Sequence, residues 1–83
     1  MTPEAREILK KIVLNLLDHL EVPETFSEFL EQTCAEKNGD EWIVYIDGDK
    51  KEGPINTTGS TEYEAKENVW MWFKTIIDEC KNT

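Results

Sequence analysis

The sequence predicts a small two-layer α+β domain, α-α-β-β-α, with its helices packed on a short antiparallel hairpin or sheet. Three observations carry this reading. Residues 5–20 and 65–80 place apolar side chains three and four apart, helix-like stretches open on capping threonines, and residues 41–47 alternate instead. The 83 residues fit one domain, 1–83, without internal repeat, linker or low-complexity tract.

The first helix starts at Thr2, a capping residue followed by Pro3 at the first helical position and by Glu4 and Glu7 at the positive dipole end. Ala5, Ile8, Leu9, Ile12, Val13, Leu16, Leu17 and Leu20 define its buried face, and Val22-Pro23 ends it, because a proline pushes the preceding residue out of helical geometry. Thr25 and Glu28 form a T-x-x-E capping box for a second helix. Phe26, Phe29, Leu30, Thr33 and Cys34 line one side of it, and Asn38-Gly39 supplies a left-handed stop.

A hairpin follows. Glu41 to Asp47 alternates as a strand, Asp47-Gly48 is a favoured turn pair, and the return over residues 51–58 is interrupted by Gly53-Pro54, which makes it a short edge strand. Thr61 and Glu64 then open the last helix, whose core face is Ala65, Val69, Trp72, Phe73, Ile76, Ile77 and Cys80.

Against 18 acidic residues stand 9 Lys and Arg, a formal charge of -9. This argues against general nucleic-acid binding and disfavours anionic-membrane binding, both of which use a basic footprint. The excess is local. Residues 18–41 carry a net -7, with Lys37 their only cation, whereas residues 1–17 carry +1. Clustered charge of one sign steers encounter with an oppositely charged partner, and the candidate partner-binding residues are Glu24, Glu28, Glu31, Glu36, Asp40 and Glu41. The competing reading is a solvated helix face that serves solubility alone. A second candidate contact patch lies along one flank of the last helix: Tyr63, Lys66, Trp70, Met71 and Lys74. Against it stands the reading of Trp70 as a boundary residue covered by the N-terminal helix or the hairpin.

No catalytic, cofactor or metal site is expected. Asp47-Gly48-Asp49 lacks the remainder of a calcium loop, two cysteines and one histidine do not make a zinc site, and no Gly-rich phosphate loop occurs. Cys34 with His19 is the sole nucleophile–base pairing available, and both cysteines read as reduced, buried core residues. The longest apolar run, Trp70 to Phe73, is far below the roughly 20 residues a membrane span needs. With no signal-peptide pattern, a cytoplasmic location is expected, and the sequon Asn56-Thr57-Thr58 is read as chance.

Residues 42–77 resemble the C-terminal half of a double-stranded-RNA-binding domain, through strands, a Gly-containing turn and Gly59-Ser60-Thr61-Glu62-Tyr63-Glu64-Ala65-Lys66 where that family opens its last helix with a [ST]-K-K-x-A-K type motif. Glu62 and Tyr63 replace two phosphate-gripping lysines and leave Lys66, the preceding helix is the most acidic element, and one strand is missing. The resemblance therefore implies a relative that has lost RNA binding. In size and acidity the chain is similar to phage anti-defence proteins, anti-CRISPRs among them. The leading expectation is a non-enzymatic interaction protein, an inhibitor or nucleic-acid mimic that covers a basic surface of a nuclease or other nucleic-acid-handling partner. The alternatives are a degenerate RNA- or protein-binding module using the last helix and a structural homodimer through Trp70 and Met71.

Overall fold

The computed structural model describes residues 2–46 and 53–82, with elements α1 (Pro3–Asp18), α2 (Phe26–Glu31), β1 (Thr33–Asn38), β2 (Glu41–Ile46), β3 (Ile55–Thr57) and α3 (Glu62–Lys81). The α+β class holds, with three strands in place of two. They form an antiparallel meander in the order β1-β2-β3. The Asp47-Gly48 turn and the start of the expected return strand lie outside the described residues.

Each helix begins where the sequence places a threonine. The hydroxyls of Thr2, Thr25 and Thr61 accept from the amides of Ala5 (3.1 Å), Glu28 (3.2 Å) and Glu64 (3.1 Å). The reciprocal arm of both capping boxes reaches one residue further back than the usual pattern. Glu28 Oε2 accepts from the amide of Glu24 at 2.9 Å, and Glu64 Oε2 from that of Ser60 at 2.8 Å. The Ser60 hydroxyl also donates to Glu64, and this bond above all holds the Glu64 carboxyl below its ordinary value.

The end of α1 differs from expectation. Helical geometry stops at Asp18, before Val22-Pro23, because Leu20 turns left-handed at φ 57°. The amide of Glu21 donates to Leu16 O at 2.9 Å and that of Leu20 to Leu17 O at 3.3 Å, the two bonds of a Schellman motif. Leu20 thereby leaves the apolar stripe and is 92% exposed, whereas the other expected core residues of α1 pack inside.

The larger correction concerns residues 33–38. The 3.6-residue pattern extends α2 through Cys34, yet α2 stops after six residues and β1 begins. Beyond Phe29 a continued helix has little left to bury, since residues 36–41 carry no large apolar side chain. As a strand, the same segment pairs all six residues with β2, from Thr33 opposite Ile46 to Asn38 opposite Glu41, and rests Ala35 on the core. Tertiary pairing overrides a short helical pattern here. Gly39 keeps its left-handed role at φ 65°, as the first residue of a two-residue hairpin turn and not as a helix stop.

One face of the sheet carries Thr33, Ala35, Trp42, Val44, Ile46, Ile55 and Thr57 toward the helices. The opposite face carries Cys34, Glu36, Glu41, Ile43 and Tyr45. Between sheet and helices lies one core in which Leu9, Val13, Phe29, Val44, Ile55, Ala65, Val69 and Phe73 are fully buried. Cys34 is exposed and is not the core residue the helical reading makes it, while Cys80 is half-buried against the core.

Candidate interaction surface

The six acidic candidates come from three elements that the chain visits in succession. Glu24 sits just before the α2 cap, Glu28 and Glu31 lie on α2, Glu36 on β1, Asp40 in the hairpin turn, and Glu41 at the start of β2. All six are exposed. The structure does not gather them on one plane. Glu36 and Glu41 occupy the sheet face turned away from the helices, on diagonal positions, which in antiparallel sheets puts side chains about 7–8 Å apart. Glu24, Glu28 and Glu31 stand in the helical layer, where α2 packs against α3 and against β1. The acidic residues therefore spread over both layers, with Glu36 on the edge strand β1 and Glu24 in the groove it shares with Val22, Pro23 and Trp70.

Their engagement in the fold is slight. Glu28 serves the α2 cap, and Glu36 has a partner of its own. Glu31, Asp40 and Glu41 form no side-chain ion pair among the described residues.

The flank of α3 is organised differently. Trp70 is 7% exposed and is enclosed by Phe26, Phe29 and Phe73, with ring centroids 6.3, 5.1 and 6.2 Å away. Its cover is α2, and not the N-terminal helix or the hairpin that the sequence suggests, because Phe26 and Phe29 lay two aromatic rings over that side of α3. Lys66 is 9% exposed, and its ammonium donates to Thr33 O at 3.2 Å and pairs with Glu62 at 3.1 Å. Neither residue is a surface contact in this fold. Tyr63 (58% exposed, its ring edge-on to Phe26), Met71 (59% exposed) and Lys74, whose Nζ lies 5.6 Å from the Trp70 ring, are what remains of that patch outside. Beside it a groove of about 640 Å³ runs between Leu17, Val22 and Pro23 and the α3 residues Trp70 and Ile77.

Cys34 and His19 fall on different elements. Cys34 stands on β1 opposite Tyr45, and His19 caps the C-terminus of α1. His19 Nδ1–H donates to Asn15 O at 2.8 Å, which together with Asp18 and Glu21 raises its pKa above 6.5. Among the described residues no group of three or more His, Cys, Asp or Glu is placed to hold a metal ion, and no helix is long and apolar enough to cross a membrane.

Two surface features escape the sequence reading: the exposed left-handed Leu20 and the open edge of β1. The first hides inside a regular apolar stripe. The second needs residues 33–38 to be recognised as a strand, for which Asn38-Gly39 is the available signal.

Comparison of the chain with protein-family models, curated proteins and solved structures finds no match.

Proposed function

We propose that this chain is a non-enzymatic interaction domain whose acidic α2–β1–β2 border covers a basic surface on a larger nucleic-acid-handling protein, as an inhibitor or nucleic-acid mimic. An anti-defence role of the phage type is the concrete form of this reading. The observation that carries it is the unequal use of charge. Six carboxylates are exposed on α2, β1, β2 and their connections, with Lys37 the one Lys or Arg among residues 18–41, whereas on α3 Lys66 is drawn inside. Such a border attracts a basic surface and repels phosphate.

Direct RNA binding through α3 has less support. Lys66, the one phosphate-gripping lysine that the double-stranded-RNA-binding resemblance retains, is buried on Thr33 O and Glu62. A homodimer through Trp70 and Met71 loses half of its proposed contact, because Trp70 is enclosed.

Titration against a basic nuclease complex across a salt series tests the proposal. Affinity should fall steeply with salt and be lost when Glu31, Asp40 and Glu41 are changed to lysine. Affinity that ignores both changes contradicts it. Gel shifts with duplex and single-stranded RNA at low salt should show no complex.

A further inference from the structure

The sheet has two edges of unequal character. β3 has three residues, follows Gly53-Pro54 and is packed by α1, so it offers little template. β1 has six residues, no proline and no bulge, and every position from Glu36 to Asn38 is exposed.

The hydrogen-bond parity of β1 follows from two observations. Thr33 O accepts from Lys66 Nζ, so it points away from β2. The two-residue turn closes on Asn38 and Glu41, the bonded pair of a tight hairpin, so bonds to β2 fall at Asn38, Glu36 and Cys34. The amides and carbonyls of Ala35 and Lys37 therefore face outward. Lys66 closes the edge at Thr33 and leaves this stretch open.

We propose that β1 accepts an extended segment of the partner as a fourth, antiparallel strand, bonded to the backbone of Ala35 and Lys37. This rests on the acidic-surface reading and gives its partner a shape. Side chains of the added strand alternate. One set would lie beside Ala35 and the exposed Lys37 on the helix side, where uncharged apolar residues fit. The other would lie beside Cys34 and Glu36, with Glu41 one strand further, where lysine or arginine fits. The occupant is thus a protein segment of alternating basic and apolar residues. A second copy of this chain is the competing occupant, since β1 itself carries Glu36 and Lys37 and no net charge; a dimer that sediments as such without peptide would overturn the assignment.

The test uses the full chain and an N-acetylated, C-amidated heptapeptide of alternating lysine and valine. Amide exchange by NMR should show Ala35 and Lys37 slowing tenfold or more when peptide is added, with Cys34, Glu36 and Asn38 protected already in the free protein. Two further peptides carry N-methyl groups on either the valine or the lysine nitrogens, which keeps the charge and blocks one edge each. Antiparallel addition predicts a tenfold or larger loss of affinity for the valine-methylated peptide and little loss for the other. No binding at millimolar peptide, or equal affinity for all three, overturns the proposal. If all three bind equally and the lysine variant of Glu31, Asp40 and Glu41 binds none, strand addition fails and the acidic-surface reading stands. If that variant also binds all three as before, both fail.

Discussion

The α3 flank and the α2–β1–β2 border both concentrate charged residues, but the fold treats them oppositely. On α3, Lys66 is drawn inside to hold the carbonyl of Thr33, and Trp70 becomes the floor on which Phe26 and Phe29 rest. Along the border, Glu31, Asp40 and Glu41 remain in solvent with no ion pair among the described residues. The first set of charges and rings holds elements together, and the second is not paired by any ion pair among the described residues. A charge count does not separate these roles; burial and partners do.

Perturbing each side sharpens the contrast. The largest effect is expected from Phe29→Ala, because Phe29 is the one fully buried residue of α2 and joins it to Trp70 and Phe73. Urea unfolding should show a loss of about 3–5 kcal/mol. Lys66→Ala should cost about 1–3 kcal/mol by leaving a part-buried carbonyl without its charged donor, whereas Lys37→Ala, exposed on β1, should stay within about 0.5 kcal/mol. Equal effects of the two lysines would break the comparison. Leu20→Gly should stabilise the chain by about 1 kcal/mol, since an exposed leucine at φ 57° carries left-handed strain and buries nothing.

The smallest effect concerns pH. The imidazolium of His19 is favoured by Asn15 O, Asp18 and Glu21, so its contribution is fully present below about pH 6.5 and is lost as pH rises through the raised folded value. The stability difference between wild type and His19→Gln, followed from pH 5.5 to 8.5 by thermal unfolding, should narrow toward high pH.

Much of the fold was legible in local signals. Three threonine caps, the stripes of α1 and α3 and the strand at β2 each rest on neighbours within four residues, and the structure repeats them, although Val44, Tyr45 and Ile46 are all buried in place of an in-and-out burial pattern. What was not legible depends on distant residues. Thr33 to Asn38 read as helix because Thr33 and Cys34 continue the spacing of Phe26 and Phe29, and pairing with β2 decides otherwise. Lys66 and Trp70 read as flank residues because periodicity fixes the centre of a buried face but not which side a third, six-residue helix covers. Of the candidate surface, the acidic residues were legible as charge, since exposure is the default for carboxylates. That they border an open strand edge was not.

The central claim is that the border carboxylates serve a partner and not the fold. Urea unfolding of the Glu31→Lys, Asp40→Lys, Glu41→Lys triple variant tests it most directly. Relief of like-charge repulsion in a chain of net charge -9 should leave the midpoint unchanged or raise it. A loss of more than about 1 kcal/mol would show that these carboxylates hold the fold together, and would contradict the account.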